Sequence, residues 1–281
     1  MCKQNIKSSY KYLIENGEHR MPNWVKNRII TGNKKITEEL LKKYGTLSGN
    51  DCVKSLELDF NKIIPMPEDL SIEFSSKSDI ALSLYLTSVS PNVDYFGEKE
   101  DKLSDVEFDD IKKRISNHLI SNNNLIIKKE SLFSVLDKFN SELDKLIELG
   151  QKQVNNIIKY NAVNWYEWSI KNWGTKWNSR ALEVDLKESS LKFETAWNPA
   201  IPIFIEITRQ NPNYKFAFLY ADESIGSHTG YILASNGHID YKGKFEDYSI
   251  DAYKLSFDLW DCADLYKFDS LKNTYVYKDE S

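Results

Sequence analysis

Trp165, Trp168, Trp173 and Trp177 account for four of the chain's seven tryptophans. Indole rings packed this densely do one of two jobs. They stack on a flat ligand, at roughly 1–3 kcal/mol per stacked base, or they fill the space where a helix meets a sheet, each burying about 150–250 Å². Trp165 and Trp168 are three apart and share one side of a helix end, whereas Trp173 and Trp177 straddle Gly174, where the backbone can turn. Filling a junction is the expected role of most of these rings, because large aromatics dominate core energetics. Lys171, Lys176 and Arg180 are interleaved with them and can bring charge to a pocket beside the rings. Glu194 alternates with Phe193 and Thr195, so it faces away from them; it either pairs with Lys176 or Arg180 or is a solvated strand residue. The candidate ligand- or partner-binding set is therefore Trp165, Trp168, Lys171, Trp173, Lys176, Trp177, Arg180 and Glu194.

Other chemistry finds less support. His228 and His238, with Asp240 or Glu223, have ligand-type side chains, but a metal site needs three or four ligands and nothing in the spacing fixes a geometry. No metal is expected. Asp258, Asp261 and Asp264 recur every third residue, which on a helix reads as a solvated face. There is no Gly-x-Ser-x-Gly elbow, no cysteine with a nearby histidine, no Walker loop and no dinucleotide fingerprint. No catalytic residue is assigned, and the enzyme alternative would need Glu194 to meet His228 or His238 in one cleft. Cys2, Cys52 and Cys262 are scattered and odd in number, which suits free thiols in a reducing compartment and no cofactor.

Charge narrows the partners. From Asp222 onward there are 12 acidic residues against 6 lysines and no arginine, so this end repels a phosphate backbone and a nucleic-acid partner is not expected. No apolar run approaches the ~20 residues of a membrane helix, and the start lacks a secretory apolar core. A cytoplasmic protein is expected, with a host protein or a small molecule as partner.

Periodicity supplies the elements that must position these residues. Trp24 to Ile30 reads as a strand closed by Thr31-Gly32, and residues 36–45 as a helix with Thr37 as N-cap and Gly45 just past its end. A short strand before Phe60 passes into a turn punctuated by Pro65 and Pro67. From about Ser75 to Ala162 the pattern is helical. Leu132, Leu136, Phe139, Leu143 and Leu146 fall at steps of four and three, and Val154, Ile157 and Ile158 continue that face. This is the seam of a helix pair, either an internal hairpin or a homodimer.

After the tryptophans the period becomes two. ALEVDLK and LKFETAW are strands joined by a short hairpin link, with Leu191, Phe193, Thr195 and Trp197 on one face of the second. NPAIPIFIEITRQNP is a helix capped by Asn198, with Pro199 in its first turn and Pro212 as its stop. Two more strands follow, and Asn236-Gly237 turns the chain into HIDYKGKF. The segment SIDAYKLSFDLWDCADLYKF is ambiguous. Strand, strand, helix, strand, strand gives an α+β module with an antiparallel sheet, which the early strand and helix complete.

Five islands carry a resemblance: MPNW with NRIITG, FNKIIPMPEDL, NWYEWSIKNWGTKWN, FETAWNPAIP and, more loosely, YADESIGSHTGYILASNG. Together they resemble the family of phage- and plasmid-encoded proteins with a YubB-type ferredoxin-like domain. The resemblance implies a ferredoxin-like antiparallel sheet with packed helices, carriage on a mobile element, and no iron–sulfur cluster. It supplies no activity. It also frames the organisation: residues 1–20 as an N-terminal extension, 21–74 with 163–281 as one discontinuous ferredoxin-like domain, and 75–162 as an inserted helical subdomain. The resulting expectation is a non-enzymatic binding protein that modulates host processes or defence, with a nucleic-acid-associated protein using sheet aromatics as the alternative.

Overall fold

The computed structural model describes residues 22–50, 53–73, 75–89, 104–106, 109–110, 113 and 143–278. The extension at 1–20, and the seam residues Leu132, Leu136 and Phe139, lie outside these. The chain divides into two compact units, Met1–Ile64 with Gly174–Ser281, and Pro65–Trp173. The junctions fall about ten residues from those read in the sequence, so the Trp-rich stretch is itself divided, at Gly174.

The first unit is built on a six-stranded sheet in the order β4-β5-β1-β6-β7-β8. Its strands are β1 (Trp24–Ile30), β4 (Arg180–Asp185), β5 (Ser190–Ala196), β6 (Lys215–Asp222), β7 (Gly230–Ser235) and β8 (His238–Lys244). A separate hairpin, β2 (Gly45–Asn50) and β3 (Val53–Leu58), lies between β1 and β4 in sequence. Every neighbour in the large sheet is antiparallel. Because β5 and β6 both run opposite to β1, they are parallel to each other with β1 between them. Helix α5 (Ile201–Gln210) connects them, which makes a split β-α-β unit. The strand that fills the split comes from the far end of the sequence.

Alternation in β1 decides the two faces. Val25, Asn27 and Ile29 are buried, and their opposite numbers Thr195, Phe193 and Leu191 on β5 and Phe218 and Tyr220 on β6 are buried with them. Helix α5 covers this face, with Phe204 stacked on Phe218 at 4.9 Å, and Phe60 meets Phe193 edge-on at 6.0 Å. Each such ring removed from water contributes about 1.5–3 kcal/mol. Asn27 is the polar member of this core. Its amide donates to the Val25 carbonyl and to Thr195 Oγ1, and its Oδ1 accepts from the Ala200 N–H at 3.2 Å, which fixes the entry to α5. The opposite face carries Trp24, Lys26 and Arg28. There α6 (Ile250–Trp260) is tied down by Arg28 Nη1 to Asp258 Oδ2, at 2.6 Å, and by Trp260 Nε1 donating to the Ala221 carbonyl.

Local chemistry moved several boundaries. Helix α1 (Lys34–Tyr44) is capped by Asn33, which accepts from the Lys35 and Ile36 N–H groups. Thr37 lies inside it and shares its hydroxyl with Thr31 instead. Helix α5 starts after Ala200 with no side-chain cap; Asn198 does not cap it, and Pro202 rather than Pro199 occupies the first turn. Trp197 leaves the face of Leu191, Phe193 and Thr195, because its backbone turns to φ 62° where the strand ends. Asn236 and Gly237 make the expected turn, with φ 48° and 77°. The ambiguous end resolves into α6, a short helical turn at Ala263–Leu265 and the hairpin β9 (Tyr266–Asp269) and β10 (Thr274–Tyr277). Helix α6 closes at Asp261 in a left-handed conformation, so Asp258, Asp261 and Asp264 do not line one helix face.

The second unit holds α2 (Ser76–Ser88), α3 (Leu143–Tyr160) and α4 (Trp165–Asn172). Leu82 packs with Val154, Ile157 and Val163, and Ala81 and Leu84 pack with Leu146. A Cβ on Gly150 would lie 2.1 Å from the Ala81 carbonyl oxygen, so glycine is what lets α2 and α3 approach. Ile158, placed on the seam by spacing, is 42% exposed.

Candidate binding site

The tryptophans of the sequence motif separate into two groups. In the second unit, Asn164 caps α4 by accepting from the Tyr166 and Glu167 N–H groups, and Glu167 reaches back to the Val163 N–H. This sets Trp168 inward against Trp173, edge to face at 5.6 Å, and both are buried. Trp165 is half-buried, edge-on to Tyr166, and Lys171 is exposed near the end of the helix.

Gly174 to Arg180 forms a strap along the edge of the large sheet. Gly174 sits at φ 83°, and a Cβ there would be 2.7 Å from Pro202 Cδ. Thr175 donates to the Ala196 carbonyl. Asn178 Oδ1 accepts from the Phe60 N–H, and Ser179 Oγ both accepts from the Leu58 N–H and donates to its carbonyl. With these anchors the strap presents Trp177 to two tryptophans that the candidate set did not include. Trp24 lies 6.3 Å from Trp177, and Trp197 lies 5.3 Å from it. The planes are tilted by 35° and 44°, so the rings form a bent row rather than a closed stack.

Cations cap the row. Register in β4 breaks between Arg180 and Glu183, with Ala181 at φ 51°, which marks a bulge. The bulge aims Arg180 across the sheet, where its guanidinium carbon lies 3.2 Å from the Trp24 ring centre. The same group donates through Nε to Glu194 Oε2 at 2.9 Å. Glu194 thus takes the paired role, and it is 9% exposed rather than solvated. Its other oxygen lies 3.6 Å from Lys26 Nζ, which also reaches Glu183 at 3.3 Å. Two cations on a nearly buried carboxylate offset its desolvation. Lys176 Nζ stands 4.5 Å from the Trp177 ring centre and 5.4 Å from that of Trp197. Glu223 follows β6, its N–H donating to the Trp24 carbonyl. Burial, with the neighbouring charges of Asp222 and Glu194, pushes its carboxyl above the ordinary value.

The histidines are elsewhere. His228 Nδ1 lies 4.0 Å from Asp222 Oδ2, on the sheet face opposite Glu194, while His238 opens β8 at the far end of the β7–β8 hairpin. The Glu194–histidine cleft is not formed. Among the described residues no cluster of His, Cys, Asp and Glu is placed to hold a metal ion, and no helix is long and apolar enough to cross a membrane.

Of the eight candidate residues, Lys176, Trp177, Arg180 and Glu194 come together, while Trp165, Trp168, Lys171 and Trp173 belong to the other unit. The members missed were Trp24, Lys26, Trp197 and Glu223. Two of these sit in the quoted islands MPNW and FETAW, so the row is where three islands converge; only the pairing of β1 with β5 reveals it.

Comparison with known proteins agrees with this sheet. A search of curated proteins finds no match. The solved structure of protein Api92 from Yersinia pseudotuberculosis aligns over 80% of this chain and 99% of its own, at 11% identity and a TM-score of 0.33, too low to bear on the fold. Residues 172–263 match the family model described as "Ferredoxin-like domain in Api92-like protein". That description bears out the ferredoxin-like expectation and does not include the YubB-type name. The matched residues hold β4 to β8, α5 and α6, so this stretch is similar to the ferredoxin-like domain of Api92-like proteins.

Proposed function

We propose that the chain is a non-enzymatic binding protein that takes a host protein or small ligand on the row Trp24–Trp177–Trp197. The observation behind this reading is a bent row of three indoles at 6.3 and 5.3 Å, capped by Lys176 and Arg180, with its terminal ring 38% exposed. A strap, a bulge and a positive-φ corner all serve to hold that arrangement, whereas a purely structural cluster would bury its rings as Trp168 and Trp173 are buried. Location in a host cytoplasm, carriage by a phage or plasmid, and self-association through the helical unit belong to the same proposal. A nucleic-acid partner is the weaker reading, since Lys26 and Arg180 beside the row are already paired with Glu183 and Glu194.

The test is affinity capture from host lysate with the native chain and with Trp177→Ala/Trp197→Ala, folding being checked by far-UV circular dichroism. A protein or small molecule retained by the native chain and lost from the double variant supports the proposal. Equal retention by both overturns it.

A further inference from the structure

We infer that the cavity walled by the β4–β5 hairpin is a site for a phosphate-type oxyanion, bound by the ammonium groups of Lys187 and Lys192. This goes beyond the role proposed for the tryptophan row and stands or falls without it. The cavity measures about 610 Å³, within the range of small-ligand sites, and is lined by Glu183, Val184, Asp185, Leu186, Lys187 and Lys192. Hydrogen bonds within the hairpin and to its neighbour set the wall. Asp185 Oδ1 accepts from the Lys187 N–H at 2.8 Å and from the Glu188 N–H at 3.0 Å. Ser189 follows at φ 51°, and its carbonyl accepts from both the N–H and the hydroxyl of Thr31, just past the end of β1. A wall fixed in this way needs little ordering when a ligand arrives.

Charge decides the sign of the ligand. Among the described residues neither Lys187 nor Lys192 forms an ion pair, although both act electrostatically on Asp185. The N–H groups of Glu188 and Lys187, and then the charges of Lys187 and Lys192, hold the Asp185 carboxyl below its ordinary value. Glu183 is already engaged, its carboxylate lying 3.3 Å from Lys26 Nζ. Lys192 is opposite Glu183 on β4 and Arg28 on β1. Arg28 gives its Nη groups to Asp258, and its buried Nε–H has no acceptor among the described residues. Lys192 therefore meets a like charge at the neighbouring strand position, which repels it. Two ammoniums against Asp185 leave the cavity one positive charge in excess, and a bound anion offsets it. An ammonium is a point charge without the planar fork that suits a carboxylate, so a pair of them favours a tetrahedral oxyanion. Two are too few for a nucleic-acid backbone, whose binders neutralise many phosphates at once. Val184 and Leu186 give the organic part of a phosphorylated small molecule an apolar wall.

The test follows the backbone amides of the isotope-labelled full chain by NMR during titration with inorganic phosphate and, separately, with phenyl phosphate. Sodium chloride at equal ionic strength is the control. Both phosphates should give saturable shifts centred on residues 183–192. Lys187→Gln and Lys192→Gln should each weaken binding about tenfold, the scale of one hydrogen bond to a charged group. Lys215→Gln, at an exposed lysine on β6, should leave it unchanged. Asp185→Asn keeps an acceptor for the turn and removes the opposing charge, so it should tighten binding about threefold. Tighter binding of phenyl phosphate assigns the anion to a small organic molecule, and equal affinities assign it to free phosphate. Shifts no different from those in sodium chloride overturn the inference. So do equal affinities in the native chain and in Lys187→Gln/Lys192→Gln, whose fold is checked by far-UV circular dichroism.

Discussion

Trp168 with Trp173, and Trp24 with Trp177 and Trp197, are two uses of the same side chain. The first pair is edge to face and buried, in a unit of helices. The second group is tilted, partly exposed and capped by cations at the edge of a sheet. What separates them is the backbone beneath. Helix α4 turns Trp168 inward with its neighbours, whereas the strap from Gly174 and the corner at Trp197 lift their rings to the rim. Density of tryptophan in a sequence therefore does not distinguish packing from a binding surface.

The comparison breaks most visibly if the buried pair proves dispensable. Trp168→Ala should destabilise the helical unit by roughly 3–5 kcal/mol, the range for large-to-small changes at packed aromatics. Urea unfolding followed by far-UV circular dichroism would show it, and amide exchange over 143–172 would accelerate. A change below about 1 kcal/mol would mean that these rings are not the packing they look to be.

Next in size is Gly174→Ala. Its φ of 83° disfavours any L side chain, and the added methyl would meet Pro202 Cδ at 2.7 Å. A left-handed residue costs roughly 1–2 kcal/mol before that clash is counted. The variant should melt several degrees lower, and Trp177 should shift its emission as the strap moves. Unchanged emission would show that the strap does not depend on this turn.

Much of this was legible in the sequence. The strand pattern found β1 and β4 to β7, because a half-buried sheet imposes a period of two on its residues, while β8, exposed along nearly its whole length, was marked only by the Asn236-Gly237 turn before it. The strap was foreseen only as a turn, since its anchors on Leu58, Phe60 and Ala196 are long-range hydrogen bonds with no local signature. The pairing of Glu194 with Arg180 was readable as one of two outcomes; the bulge at Ala181 that decides it was not. Trp24 and Trp197 were missed as site members because membership depends on which strands are neighbours, and a split β-α-β unit leaves its filling strand open to sequences far away. Asp258, Asp261 and Asp264 misled because spacing presumed a helix that a left-handed Asp261 ends.

Trp197→Ala sharpens the comparison from the other side. A ring 38% exposed at a corner contributes little packing, so stability should fall by about 1 kcal/mol or less. Binding of whatever the row takes should nevertheless be lost. A stability loss as large as that of Trp168→Ala would place this ring in the structural class and remove the distinction between the two groups.

The smallest effect is electrostatic and tests whether the rim of the row is partly dry. Glu223 has its carboxyl pushed up, first by burial and then by the charges of Asp222 and Glu194. A raised folded-state value means that the unfolded chain releases this proton more readily. The stability that Glu223 contributes is therefore complete below its ordinary value of about 4.3 and is lost as pH rises through the raised value. Glu223→Gln, neutral throughout, should melt with the native protein near pH 4 and slightly above it at pH 7. The gap should open as pH climbs from the ordinary carboxylate range. Parallel melting curves at every pH would show that Glu223 is fully hydrated, and the row would then be an open surface at that end. A gap that opens as described places a partly desolvated carboxylate within electrostatic reach of Arg180 and Glu194, where a lower local dielectric strengthens the pull among these charges at the rim of the row.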